Sequence, residues 1–443
     1  MRAMRSVLWG TVLLAAAAGA AELPATVQKS SVDVYVEPRF DAPKVTTLQR
    51  NTAVKVAGQQ GLWYALQLPD GKSGFVRVND VRLNYAGTEG GEANLRVLTE
   101  GKAGQGRVME SAGVRGIEES ELKAAAFDRA QLDAMNANRV DAVTAATYAR
   151  EQGWQATRVA YVKEAKPAKS GGSGSNASSG TSVAKSVGSL LGAFGGALGA
   201  KVDSTTRAIP DSKAEDELLA EELALGPEIT GRVLGARPLW ADPAAQRRVN
   251  LVGRWVASQT SRPDLPWTFG VIDTPEVNAF AAPGGYVLVT RGLYEIVASD
   301  SELAAVLAHE ISHCVERDHY NVIRKQEMAT AGKEIAAQNL TSGNDSMAGQ
   351  YARSYAERHG ATILVTSLDR EAEYRSDEAA EVYLARAGMN PLALYSVMQK
   401  LTALGTESAS LAALYKTHPT FEARLDRMEQ RGQGSLGEYT TRE

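Results

Sequence analysis

The tightest constraint on this chain is a run in its second half, His309-Glu310-Ile311-Ser312-His313, set inside the largely apolar stretch Leu303–Val315. Four residues are a little over one helical turn, so on a helix the two imidazoles emerge about 40° apart on one face. Two imidazoles so placed can hold one zinc ion, and Glu310 lies beside them, positioned to take a proton from an attacking water. Asp300-Ser301-Glu302 just ahead suits a helix start. The chain has 443 residues but five histidines and one cysteine. A chance HExxH is therefore expected in well under about one such chain in a hundred, the order of the product of residue frequencies. The lone cysteine excludes an internal disulfide framework, a CxxC redox pair and an all-cysteine zinc site. A formal charge of −4 and a pI near 5.9 give no electrostatic footprint for nucleic acid.

A catalytic zinc wants a third protein ligand and one open position. His319 stands at the spacing of HExxHxxGxxH, but Glu316 occupies the place where glycine would break the helix. If the helix continues, His319 points about 80° from His309 and about 120° from His313, away from the ion. Carboxylate is the other candidate. Glu373 and Asp377, sixty residues beyond His313, share a helix face by the same spacing argument. Glu373 would then ligate zinc and Asp377 would accept a hydrogen bond from the far nitrogen of a ligand histidine. Glu371 lies about 200° round from Glu373 and cannot use that pairing. Cys314 falls about 100° off the metal face and reads as a small buried residue.

Four ordered motifs then become recognisable: Asn278-Ala279-Phe280-Ala281-Ala282-Pro283-Gly284-Gly285-Tyr286 running on to Gly292, His309–His313, Glu373-x-x-x-Asp377, and Thr417-His418-Pro419 with Arg424. Together, over about Ala214 to Arg431, they resemble the HtpX/BepA/Oma-like zinc metalloendopeptidases, peptidase family M forty-eight. The resemblance implies a mostly helical α+β zincin-like domain. It implies one zinc per chain on His309, His313 and Glu373, with Glu310 as general base. Asn278, Ala279, Phe280 and Ala281 would border the cleft, where substrate backbone adds as a further strand. It also implies that His418 either donates to the oxyanion of the tetrahedral intermediate or fills the open zinc position and keeps the enzyme latent. Arg424 would orient that histidine or the intermediate. Ser376 stands where alanine is usual, a change expected to be neutral.

The rest of the chain reads as a multidomain arrangement. Residues 1–21, with Arg2 and Arg5, a short apolar core and Ala18-Gly19-Ala20, read as a secretory signal peptide, too short for a spanning helix. Its removal shifts the charge from −4 to −6. No later segment is long and apolar enough to span a bilayer, so a periplasmic or otherwise exported protein without a transmembrane anchor is expected. Residues 25–86 alternate in short runs, with Pro69-Asp70-Gly71 as a hairpin turn. They resemble bacterial SH3-like domains, small all-β barrels of about five strands. The segment holds eight Lys/Arg against five Asp/Glu, and the resemblance implies a peptidoglycan or protein ligand. Trp63, Tyr64 and Phe75 read mainly as barrel core. Residues 92–165 read as a small α/β module, with helices over Glu118–Met135 and Asp141–Glu151 and strand-like runs at Leu95–Leu98 and Thr157–Val162. Residues 166–210 read as a Gly/Ser-rich linker whose apolar stretch Val187–Ala200 docks on a domain or touches a membrane. The peptidase-like domain spans 211–432, and 433–443 form a tail. His359 has no assigned role.

The expected function is an exported zinc endopeptidase acting on unfolded or misassembled envelope proteins, tethered through the SH3-like module and the linker. Two alternatives remain. One is a latent, chaperone-like scaffold plugged by His418, with the SH3-like module setting the function. The other is a peptidoglycan-peptide hydrolase.

Overall fold

The structure, a computed structural model, describes residues 22–84, 98–99, 119–161, 163, 215–334, 347–365, 368–404 and 418–442. The expected leader, the expected linker with its apolar stretch 187–200, the expected strand at 95–97 and Thr417 fall outside these residues.

The N-terminal part is one antiparallel sheet of seven strands: β1 (Leu23–Val27), β2 (Ser31–Tyr35), β3 (Lys44–Gln49), β4 (Ala53–Gln60), β5 (Trp63–Gln67), β6 (Ser73–Arg77) and β7 (Val81–Leu83), in the order β3-β2-β6-β5-β4-β1-β7. Strand β4 alternates buried Val54 and Val56 with exposed Ala53 and Lys55, the period of a half-buried strand. At Pro69-Asp70-Gly71 the chain reverses: Leu68 N–H donates to Lys72 O at 2.8 Å, and Gly71 takes φ 81°, which glycine adopts without a Cβ clash. Tyr64, Trp63 and Phe75 are all buried. Strand β3, with β1 and β7, brings the count above the five expected.

Residues 119–161 differ from the expected α/β module. The single helix expected over Glu118–Met135 is two, α1 (Glu119–Ala124) and α2 (Arg129–Ala137). Asp128 caps the second by accepting from Gln131 N–H at 2.9 Å, so a strong N-cap restarts the helix. Helix α3 (Ala142–Glu151) follows. Among the described residues Thr157–Tyr161 pairs with no strand. It runs instead along a helix end of the C-terminal part, with Thr157 N–H on Arg386 O at 2.8 Å and Arg386 Nε on Val159 O at 2.8 Å. These helices are an outer layer of the C-terminal domain, not a separate unit. Phe127 fills the space beside Gly231, and the Tyr148 hydroxyl donates to Asp300 Oδ2 at 2.7 Å.

The C-terminal part holds α4 (Glu215–Ala236), α5 (Pro243–Ala257), β8 (Thr268–Ile272), β9 (Ala279–Ala282), β10 (Tyr286–Thr290), α6 (Arg291–Ile296), α7 (Asp300–Val315), α8 (Asp318–Glu334), α9 (Met347–His359), α10 (Arg370–Arg386), α11 (Leu392–Ala403) and α12 (Phe421–Arg431). Its sheet runs β8-β10-β9, with β10 parallel to β8 and antiparallel to β9. Helix α5 lies along β8. Its Gln246 and Asn250 side chains, one turn apart, donate to Val271 O and Phe269 O at 2.8 Å each and accept from the N–H groups of the same two residues at 2.9 and 3.1 Å. Two amide side chains thus complete the backbone hydrogen bonding of β8. Every residue of α7 from Glu302 to Val315 is buried, as befits a helix surrounded by protein on all sides.

The N-terminal sheet is not held at the end of a tether. Val56, Tyr64 and Leu83 share one continuous apolar core with Val397, Leu401 and Leu425 of α11 and α12. Arg82 on β7 pairs with Asp426 and Glu429 of α12 at 3.0 and 2.9 Å, and Gln399 of α11 accepts from Leu83 N–H at 3.0 Å. Beneath this seam Gln59 Nε2 donates to Ser396 Oγ at 2.8 Å, Ser396 Oγ donates to Glu302 Oε1 at 2.9 Å, and Lys400 Nζ meets Glu302 at 2.8 Å.

Candidate metal centre

Helix α7 is capped by Ser299, whose hydroxyl accepts from Glu302 N–H at 3.2 Å, and carries Asp300 and Glu302 in its first turn, where acidic residues suit the helix dipole. Its last two turns present His309 and His313, with their Nε2 atoms 3.2 Å apart. Helix α10 packs against α7 and is capped by Asp369, which accepts from Ala372 N–H at 2.7 Å. It aims Glu373 between the two rings: Glu373 Oε2 lies 3.5 Å from His309 Nε2 and Oε1 lies 3.6 Å from His313 Nε2. One turn on, Asp377 Oδ1 is 3.0 Å from His309 Nδ1. Glu371, on the other side of α10, is exposed.

His418, just ahead of α12, closes the group. Its Nδ1 is 2.7 Å from Glu373 Oε2, and one ligand atom from each of His309, His313, Glu373 and His418 lies within 4.8 Å of the others. Arg424 does not address His418 or an open cleft. Its Nε and Nη2 donate to the two oxygens of Asp377 at 3.0 and 2.5 Å, and Nη2 lies 3.2 Å from His309 Nδ1. Glu310 is 4% exposed beside this group. Burial and Arg424 act to lower the His309 pKa, but Asp377 and Glu373 outweigh them and hold it at about 9. Burial acts to raise the Glu373 pKa, yet His418 and His309 bring it well below the usual carboxylate range.

The donor set fits a zinc ion. Two ligands about 2.0–2.1 Å from one ion at tetrahedral angles lie about 3.3–3.4 Å apart, close to the 3.2 Å between the imidazole nitrogens. Glu373 Oε1 is buried with no hydrogen-bond partner among the described residues, the state of an oxygen that awaits a cation.

The helix does not continue past His313 to His319. It ends at Val315, and Arg317 takes φ 59°. His319 therefore starts the next helix, with its ring 5.9 Å from that of His313 and its Nδ1 buried and unpartnered among the described residues. It is not one of the four converging donors. The same turn brings in a residue that spacing arguments missed: Asp318 Oδ2 lies 2.9 Å from His313 Nδ1. Ser376, expected to be a neutral replacement, puts its hydroxyl 3.2 Å from the same nitrogen. No motif marks Asp318; a broken helix after the second histidine is the signal that could have found it. Cys314 is 3% exposed and donates to Ala282 O at 3.3 Å. His359 stands apart, 3.4 Å from Glu327.

Strand β9, with Ala279, Phe280 and Ala281, is the sheet edge nearest α7, and its residues are buried. Asn278 accepts from Ala279 N–H at 2.9 Å and keeps a buried Nδ2 without a partner among the described residues.

Comparison with known proteins agrees with this geometry. Residues 243–432 match the model of Peptidase family M48 and residues 30–81 that of the bacterial SH3 domain. The chain is 27% identical over 212 residues to the beta-barrel assembly-enhancing protease of Escherichia coli, covering 47% of this chain and 43% of that protein. It is 27% identical over 182 residues to the mitochondrial metalloendopeptidase OMA1 of Schizosaccharomyces pombe, covering 41% and 51%. The Protease HtpX homolog of Sulfurovum sp. is 27% identical over 224 residues, covering 43% and 78%. The chain thus spans about half the length of the first two relatives. Residues 243–432 thus carry the features of a peptidase family M48 domain, with a bacterial SH3 domain in front.

Proposed function

We propose that the chain is a zinc-dependent endopeptidase of the cell envelope. The observation that carries this reading is the convergence of His309, His313, Glu373 and His418 around one point with Glu310 beside it. His309, His313 and Glu373 would hold the ion. When bound, zinc polarises a peptide carbonyl and acidifies a water molecule. Glu310 takes the proton of the attacking water and hands it to the leaving amine. Asp377, gripped by Arg424, keeps the His309 ring turned with Nε2 inward. An extended peptide adds alongside β9, where backbone pairing tolerates many sequences and Asn278 Nδ2 offers a further donor.

With His418 Nδ1 against Glu373, His418 sits among the ligands and fills the place a substrate carbonyl needs. We read this conformation as latent, with His418 withdrawing when substrate enters. Export rests on residues 1–21. Unfolded or misassembled envelope proteins are the proposed substrates, and similarity to a beta-barrel assembly-enhancing protease supports that choice. The SH3 domain would add a cell-wall or protein contact.

The test is cleavage of unfolded casein by the full chain, with and without a zinc chelator, beside the His418→Ala variant. Chelator-sensitive cleavage that rises in His418→Ala is the expected outcome. No cleavage by either protein would favour the plugged scaffold, and cleavage of cell-wall peptides alone would favour a peptidoglycan hydrolase. A fall in His418→Ala would make His418 a transition-state donor instead of a plug.

A further inference from the structure

We propose that Asp318 is a positioning residue for the metal: it accepts a hydrogen bond from His313 Nδ1–H and so fixes the tautomer and aim of the second imidazole ligand. The inference rests on the zinc reading above and extends it to a carboxylate outside the HExxH and ExxxD motifs.

Three contacts carry it. Asp318 Oδ2 stands 2.9 Å from His313 Nδ1, at the back of the ring whose Nε2 faces His309 and Glu373. Arg375 Nη2 donates to the other oxygen, Oδ1, at 2.5 Å, which leaves Oδ2 to the imidazole. The arrangement repeats that at His309, where Asp377 meets Nδ1 and Arg424 holds Asp377. Each imidazole thus has its own carboxylate, and each carboxylate its own arginine.

The turn that delivers Asp318 is built for the purpose. A helix carried on past Val315 would take residue 318 about 140° round from His313 and set it more than a turn further on. Arg317 instead takes φ 59°, a left-handed conformation that is unfavourable for a residue other than glycine, and Asp318 is swung back over His313. Fully buried Glu222 accepts from Arg317 Nε at 2.9 Å and pairs with Arg262 at 2.7 Å. Arg262 in turn donates to Cys314 O at 2.8 Å, at the end of α7. The anchor therefore holds both the helix end and the strained residue. Where a glycine in HExxHxxGxxH breaks the helix to bring in a third histidine, this chain breaks it one residue later and brings in a carboxylate.

Ser376 is the rival, with its hydroxyl 3.2 Å from the same nitrogen. An anionic acceptor at 2.9 Å makes the stronger hydrogen bond and raises the basicity of the imidazole, which a hydroxyl does not.

The experiment is zinc affinity of the full chain by competition with a chromophoric chelator, for the unmodified protein, Asp318→Asn, Ser376→Ala and Arg375→Gln. The melting temperature of each metal-free protein and the visible spectrum of each cobalt-substituted form are read alongside. Loss of such a partner typically weakens metal binding by about 10–100-fold. That loss is expected for Asp318→Asn with a changed cobalt spectrum, a smaller loss for Arg375→Gln, and little change for Ser376→Ala. A purely structural role would lower the melting temperature and leave zinc affinity intact. Zinc affinity unchanged in Asp318→Asn overturns the proposal, as does a loss in Ser376→Ala equal to that in Asp318→Asn. If Asp318→Asn does not fold, Arg375→Gln decides: unaltered zinc affinity and an unaltered cobalt spectrum in that variant overturn the proposal too. Failure of the unmodified chain to bind zinc would sink the metal reading itself, a separate result.

Discussion

The two ends of helix α7 carry two buried polar clusters of opposite character. At the N-terminal end Glu302 is closed off: Lys400, Ser396 and the Ala298 N–H occupy its oxygens, and Gln59 of the SH3 domain completes the seam. At the C-terminal end Glu373 Oε1 has no partner among the described residues and two imidazole nitrogens face each other. A carboxylate whose oxygens are both met holds domains in register, whereas an unsatisfied one, tolerated in so buried a place, marks where a ligand belongs. One helix thus joins a joint between domains to a reaction centre.

The largest effects should come from the open end. Glu310→Gln is expected to lower casein cleavage by about 10²–10⁴-fold, the usual worth of a general base, with zinc content unchanged by metal analysis. Glu373→Gln should lose zinc and activity together, and zinc retained in that variant would remove Glu373 from the ligand set. At the closed end, Lys400→Met strands a buried carboxylate and should cost about 3–5 kcal/mol in urea denaturation. An unchanged midpoint would show that the seam is not a joint.

Acid separates the two ends. His319, pushed down to about 3 by burial and by His313 beside it, is neutral in the folded state, while the unfolded imidazole takes up a proton near about 6.5. Between those values the unfolded chain binds the extra proton. The His319 contribution to stability is therefore full above about pH 6.5 and falls as the pH drops towards 3. Amide exchange on the metal-free protein should loosen around His319 before the SH3 seam, and His319→Gln should flatten the slope. The smallest effect is expected for Arg82→Ala, a partly exposed pair with Asp426 and Glu429 worth about 1 kcal/mol or less. Cleavage should be unaltered, and a large loss would mean that the SH3 domain holds α12 more tightly than its ion pairs indicate.

How much of this was legible beforehand follows from distance along the chain. His309, His313, Glu373 and Asp377 were readable because each pair lies one helical turn apart, so periodicity alone puts them on one face. His418 and Arg424 were reachable only through family resemblance, since neither shares an element with the histidines, and Arg424 proved to face Asp377. Asp318 was hidden by a left-handed arginine, a conformation that no residue preference announces. The SH3 seam was hidden for another reason. Gln59, Gln399 and Ser396 look like ordinary surface residues until a second domain covers them, and a Gly/Ser-rich stretch invited the picture of a loose tether. In residues 119–161, propensity found helices but not their break at Asp128, where a capping side chain restarts the coil.

The amides of Gln246 and Asn250 against β8 have a consequence for a molecule proposed to cleave unfolded chains. An exposed strand edge templates whatever extended polypeptide it meets, a second copy of itself included. Together with Trp240 N–H on Val271 O at 2.8 Å, those amides close the edge far from α7, so on the proposed reading an extended substrate would add on the other side of the sheet, beside the helix that carries the histidines. Capture of an extended chain and its delivery to the histidines would then be a single event, and the covered side would offer no seed for aggregation.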